Sequence, residues 1–193
     1  MKIGIDISQI AHEGTGVAVY VTHLVRAMIA RHPEHEYVLF AATLRKPQIF
    51  SRYVASLPSD SKVRLVTVPI PPTVLEWIWN RLHIIPVEWF IGDVDVFWSS
   101  DWTQPPLNHA AGITTVHDLS VLRYPEESHN VTGYSVFGAR ISANIVAVHK
   151  RRLRRAAEVC DLFLCDSEAT KKDAHTMLGI ANDKLRVVYP GFH

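Results

Sequence analysis

Cysteine is nearly missing from this chain: Cys160 and Cys165 are the only two in 193 residues. They bracket Asp161-Leu162-Phe163-Leu164. If that segment is a strand, residues five apart point to opposite faces and lie ~16 Å apart along it. A disulfide needs Cα atoms within ~7 Å, so the two do not pair with each other. A reduced, cytoplasmic protein is the natural reading. No apolar run reaches the ~20 residues of a membrane span, and the opening Met1-Lys2-Ile3-Gly4-Ile5-Asp6 is too short for a signal peptide. Without a secretion signal, the Asn130-Val131-Thr132 sequon reads as chance. Excess charge is missing too: 20 Lys+Arg stand against 19 Asp+Glu, a formal +1, so no basic field points to nucleic acid. Repeats and low-complexity tracts are absent. There is no HExxH or CxxC, and the 11 histidines are scattered without metal spacing, so no metal site is expected.

What is present is an ordinary globular composition, 48% hydrophobic and 20% charged, at a length expected to form one domain over residues 1–193. Short apolar runs alternate with helical patterns from end to end. Strands are expected at Ile3–Ile7, Tyr37–Ala41, Val63–Val68, Val94–Trp98, Ile113–Val116, Leu162–Cys165 and Leu185–Tyr189. Helices are expected at Val17–Arg31, Pro47–Leu57, Thr73–Ile91 with a break at Pro86, about Ile141–Val159, and from the Ser167 cap to Leu178, stopped by Gly179. The stretch from Asp118 to about Gly133 reads as irregular. This order predicts an α/β fold, a Rossmann-like doubly wound and mainly parallel sheet of about seven strands flanked by helices. Ligands in such sheets bind at the carboxyl ends of the strands, so chemistry is sought just after each strand.

Gly14-Thr15-Gly16 follows the first strand, and backbone N–H groups there can cradle a phosphate at a helix start. A plain glycine turn explains it as well. Position 19 is Val rather than the third glycine of the dinucleotide fingerprint, and Ala41-Ala42-Thr43-Leu44 offers no acid for a ribose, which disfavours a nicotinamide dehydrogenase. His117-Asp118 follows the fifth strand. His117 can bond a substrate hydroxyl or move a proton, and Asp118 can orient it or cap the next turn; a structural histidine is the competing reading. Asp166-Ser167-Glu168 follows the sixth strand. Ser167 caps a helix whose N–H groups can also meet a polar ligand, and the missing GxSxG argues against a serine nucleophile. The basic run His149-Lys150-Arg151-Arg152-Leu153-Arg154-Arg155 can attract lipid headgroups or a phosphorylated substrate, with a solvated helix face favoured. For Trp77, Trp79, Trp89 and Phe90, core packing is favoured over a membrane interface.

Three segments then align with a known pattern: KIGIDISQIAHEGTGVAVYVTHLVRAM, TTVHDLSVLRYPE and DSEATKKDAHTMLGIANDKLRVVYPGF. Together they resemble the amino-terminal domain of glycosyltransferase family 4, enzymes of the two-domain GT-B type. Leu75-Glu76-Trp77 with Asp93-Val94-Asp95-Val96-Phe97 is similar to the bacterial mannosyltransferase-like branch. The resemblance implies retaining transfer of a hexose from a nucleotide-sugar, such as a GDP- or UDP-sugar, to an acceptor glycan or lipid-linked sugar, in surface polysaccharide or glycolipid synthesis. It implies no cofactor besides that substrate. Carried over by position, Gly14, Thr15 and Gly16 match the loop approaching the donor diphosphate. His117 matches the catalytic histidine that contacts the transferred sugar. Asp118, Ser167 and Glu168 match positions lining the cleft.

In the family a donor-binding domain follows the V-V-Y-P-G segment, with a basic pair and an E-x₇-E motif. Those have no counterpart before His193. The expectation is an excised domain or one half of a split enzyme, inactive alone, prone to self-association through its uncovered cleft face, and working in the cytoplasm at the inner face of the membrane by peripheral contact. Two alternatives stay open: a non-catalytic GT-B-like binding or partner module, and another GT-B-like enzyme such as a sugar-nucleotide epimerase.

Overall fold

The computed structural model describes residues 1–44, 46–100, 102–124 and 145–191. Seven strands form one sheet in the order β3-β2-β1-β4-β5-β6-β7, every neighbouring pair parallel. They are β1 Lys2–Asp6, β2 Glu36–Ala42, β3 Lys62–Val68, β4 Val96–Ser99, β5 Ala111–Val116, β6 Cys160–Cys165 and β7 Leu185–Val187. The helices are α1 Gly16–Arg31, α2 Pro47–Ala55, α3 Pro72–Leu75, α4 Glu88–Ile91, α5 Ser120–Arg123, α6 Ile145–Val159 and α7 Glu168–Leu178. The doubly wound α/β expectation holds, and all seven strands lie within a few residues of where the apolar runs put them.

β2 shows why the sheet is covered on both faces. Six of its seven residues, Tyr37 to Ala42, are buried, the near-continuous apolar run that a two-sided parallel strand requires. Tyr37, Leu39 and Ala41 join Val21, Val25 and Ile29 of α1 and Phe50 and Tyr53 of α2 in one cluster. Val38, Phe40 and Ala42 face the other way, onto Leu75, Trp79, Val87 and Ile91. The period-two alternation of the strand thus feeds two separate cores.

The single helix expected over Thr73–Ile91 arrives instead in pieces: α3, a π-helical segment Glu76–Leu82, and α4. His83 and Ile85 between them have φ of 54° and 63°. Pro86 removes a donor and disfavours the α region at Ile85, which ends the helix earlier than its own position. Trp79 and Phe90 pack into the core, as expected. Trp77 and Trp89 do not: they are 50% and 73% exposed, Trp77 because Trp79 in the same segment takes the core-facing side and Trp89 because the helix is broken before it. Within the segment read as irregular, Ser120–Arg123 forms the short helix α5. The Asn130-Val131-Thr132 sequon, the rest of that segment and positions 141–144 of the expected α6 lie outside the described residues.

The cysteine argument is corrected in one respect. Cys160 and Cys165 are free and buried, but both join one apolar cluster with Phe163 rather than opposite faces. Gly112 pairs with Cys160 while Ile113 pairs with Leu162. That bulge leaves Asp161 out of the residue pairing, its Oδ2 accepting from Gly112 N at 2.9 Å instead, and resets the alternation. Burial pushes the Cys160 thiol up to about 12 and the Cys165 thiol up to about 11, so both stay protonated and unreactive near neutrality.

The basic run is also not the solvated face expected of it. Lys150 and Arg154 are exposed, but Arg151 clamps Glu76 at 2.7 Å and Arg155 reaches the carbonyl oxygens of Asn80 and Arg81. Arg152 is 1% exposed. A basic helix read from sequence shows only one face at a time, and here its charged face docks on the π-helical segment. Gly112 allows the close approach of α6 to the sheet: a Cβ there would lie 2.9 Å from the Val159 carbonyl oxygen and 3.1 Å from the Cys160 Cα. Backbone atoms cannot step aside. Gly112→Ala is therefore expected to cost about 1–3 kcal/mol of stability, read as a lowered urea midpoint at unchanged slope. Among the described residues no helix is long and apolar enough to cross a membrane.

Candidate functional site

The strand order reverses between β1 and β4, the switch point at which doubly wound sheets open a crevice. Parallel register then brings the strand ends side by side. Val116 pairs with Cys165, so the residues that follow, His117 and Asp166, emerge together. His117 Nδ1 lies 2.7 Å from Asp166 Oδ2, and both side chains are largely buried. Asp166, as a carboxylate, accepts from Nδ1–H and leaves Nε2 as the ring nitrogen for a ligand. Tyr20 of α1 braces the imidazole edge-on, at a centroid distance of 4.8 Å. Thr170 of α7 donates to the His117 carbonyl oxygen at 3.3 Å. Asp166 Oδ1 is buried without a partner among the described residues, an acceptor in need of a donor.

Asp118 takes the second of its two readings. Its Oδ1 accepts from the Ser120 amide and hydroxyl, closing the turn that leads into α5, and it does not orient His117. Asp166 does so instead. His117 and Asp166 are 49 residues apart in sequence and meet only because β5 and β6 pair with Val116 opposite Cys165.

Gly14, Thr15 and Gly16 form an exposed turn at the start of α1. Gly14 has φ of 86°, which a side chain would strain. Thr15 caps the helix: its Oγ1 accepts from Ala18 N at 3.2 Å and donates to the His12 carbonyl oxygen at 2.9 Å. Val19 N bonds the Thr15 carbonyl oxygen. The Gly16 and Val17 amides remain at the positive end of a 16-residue helix, where an anion is favoured. A Cβ added at either glycine would meet nothing within 4 Å, so the approach is open. Ser167 caps α7 through its Oγ, which accepts from Thr170 N at 3.1 Å, and Glu168 is exposed in the first turn.

A cavity of about 580 Å³ opens beneath the glycine turn, its wall including Ser8, Thr15, Pro72, Ser100, Trp102 and Thr103. His117 is not among its lining residues. The floor is held by buried polar groups. Asp6, at the end of β1, accepts from the Ser8 amide at 2.9 Å and the Ser8 hydroxyl at 2.6 Å, and Ser8 Oγ in turn accepts from Ala42 N. Burial pushes the Asp6 carboxyl above its usual range, with Ser8, Ser100 and Thr103 pulling it back. Asn80 accepts from Gln104 N and donates to the Trp102 carbonyl oxygen, while Ser99 donates to Gln104 Oε1 at 2.6 Å. Asp6, Asn80 and Gln104 belong to no local sequence motif, and their partners include residues 24 and 75 positions away. Among the described residues, the one group of three side chains with metal-ligand chemistry lies elsewhere, at His32, Glu34 and His35.

A doubly wound domain with an anion-ready helix start, a histidine–carboxylate pair and a deep cavity at one strand end has the frame of a group-transfer domain. Residues 14–193 match the model of Glycosyltransferase Family 4, and the chain belongs to that family. No curated protein matches the chain. Among solved structures it is similar to the wall teichoic acid polymerase TagF, with a TM-score of 0.49 and 10% identity over 97% of this chain. It spans 38% of that chain's length.

Proposed function

We propose that this chain is the acceptor-side domain of a retaining hexosyltransferase. It moves a sugar from a nucleotide-sugar, a GDP- or UDP-sugar, to a hydroxyl of an acceptor glycan or lipid-linked sugar in cell-surface polysaccharide or glycolipid synthesis. The observation that carries the reading is the grouping, in a family 4 chain, of the Gly14–Gly16 amides, the His117–Asp166 pair and the 580 Å³ cavity at one end of the sheet. Charge builds on the departing diphosphate as the glycosidic bond breaks. Oriented N–H groups of Gly16 and Val17 stabilise that charge. His117 Nε2 bonds the transferred sugar, and the cavity beside Trp102 takes the acceptor. Ser167 and Glu168, at the start of α7 beside Asp166, are offered to the substrate at the same strand ends, while Asp118 only holds its local turn with Ser120. A second GT-B domain grips the donor, so the isolated chain does not turn over sugar.

The exposed Trp77 and Trp89 support peripheral contact with the cytoplasmic membrane face, where an amphipathic ring sits at headgroup level. The test joins the domain to its donor-binding half and supplies labelled nucleotide-sugars with a lipid-linked acceptor. Transfer with retained anomeric configuration is the expected result. Conversion of the nucleotide-sugar without acceptor would indicate an epimerase instead, and tight binding without turnover a partner module.

A further inference from the structure

The opposite end of α1 carries a second cluster with chemistry of its own. We infer that the turn joining α1 to β2 is a binding site for a divalent transition metal, zinc by its donor set, held by His32, Glu34 and His35. His32 Nδ1 lies 3.2 Å from Glu34 Oε1 and His35 Nε2 lies 3.7 Å from the same oxygen. All three ligand atoms fall within 4.8 Å of one another. Tetrahedral zinc with bonds of ~2.0–2.1 Å sets neighbouring ligand atoms ~3.4 Å apart, so two of the spacings already bracket the value needed. Small side-chain rotations close the third.

The backbone beneath is fixed in advance. His32 N donates to the Met28 carbonyl oxygen at 2.9 Å and His35 N to the His32 carbonyl oxygen at 3.2 Å. The buried Tyr37 hydroxyl reaches both the Met28 and His32 carbonyl oxygens, at 3.2 and 3.1 Å. Pro33 restricts the turn further. The two imidazoles lie side by side, with centroids 5.8 Å apart and planes within 12°. His32 is also the residue that closes α1, whose carboxyl end carries partial negative charge and favours a cation.

Two imidazoles and one carboxylate suit zinc, with copper and nickel as competitors and magnesium or calcium disfavoured. Three protein ligands leave the fourth position to water. His32 and Glu34 are 58% and 59% exposed, so the ion enters from solvent. Motif rules pass this site over because its ligands sit on a tight turn and not at helical His-Glu-x-x-His spacing. Bound metal would tie the end of α1 to the start of β2, at the far end of α1 from the glycine turn. The proposal is therefore independent of sugar transfer.

The experiment is equilibrium dialysis of the 193-residue chain against zinc chloride, with His32→Ala, Glu34→Gln, His35→Ala and, as a control, His109→Ala. Expected are one zinc per chain, affinity at least ~10-fold weaker in each of the first three variants, and no change in the control. Circular dichroism checks that all four fold, and none of the four positions is buried. Saturating zinc should also raise the melting temperature of the wild-type chain by roughly 3–8 °C and that of the His32→Ala variant by much less. No saturable binding, or binding that the three variants leave intact, would overturn the site.

Discussion

His117→Ala is expected to lower kcat of the proposed two-domain transferase by about 10²–10³-fold, the scale of loss when a group that accepts a hydrogen bond or proton from the substrate is removed. Asp166→Asn should lower it by about 10–100-fold. The geometry gives the reason for the second effect. Asp166 Oδ2, 2.7 Å from His117 Nδ1, favours the tautomer protonated at Nδ1, which leaves Nε2 as the acceptor that the proposed reaction uses. An amide in its place can present either a donor or an acceptor and no longer makes that choice. Asp166→Asn should depress kcat with little change in KM, and the nitrogen chemical shifts of His117 should report mixed tautomers in the isolated domain. Asp118→Asn should leave both unchanged, since Asp118 bonds only Ser120 among the described residues. Steady-state kinetics on the three variants checks this ordering. Equal losses at Asp118 and Asp166 would mean that the pair acts through folding, and the unchanged melting temperature expected for both would then fail as well.

Arg152→Met is expected to be the most destabilising single change, at about 2–4 kcal/mol. The guanidinium lies under the sheet end and donates to the Ser100 carbonyl oxygen at 3.0 Å, the Thr115 carbonyl oxygen at 3.1 Å and the Thr114 hydroxyl. Methionine keeps most of the volume and leaves those acceptors dry and unbonded. Since Ser100 lines the cavity, the loss should extend to ligand binding. Urea denaturation followed by tryptophan fluorescence measures the first effect. Arg154→Met, one residue pair along on the exposed side of α6, should stay within ~0.5 kcal/mol of wild type. A small effect at Arg152 would show that water reaches those carbonyl oxygens once the side chain is gone.

The contrast between Arg152 and Arg154 shows where sequence reading stops. In HKRRLRR the two arginines are equivalent by type and nearly so by position. Only the docking of α6 on the π-helical segment, through Arg151 and Glu76, sets one inside and one outside. The same limit explains Trp77 and Trp89. Their spacing fits an apolar helical face, yet Trp79 takes the inner face of the π-helical segment and turns Trp77 outward, while the break at Pro86 separates Trp89 from that segment.

By itself the sequence determined the alternation of strands and helices, the parallel doubly wound class, the glycine turn at the first helix, the cap at Ser167, and the strand-end positions of His117 and Asp166. These are local properties: apolar period, turn chemistry and capping act over a few residues. Tertiary structure alone decided that His117 pairs with Asp166 and not with its neighbour Asp118, that Cys160 and Cys165 share one core across a bulge, and that Asn80 and Gln104 brace the cavity floor. Each depends on strand register or on partners far apart in the chain. A one-residue slip in register would send the same side chains to the other face, so no local pattern could have made those choices.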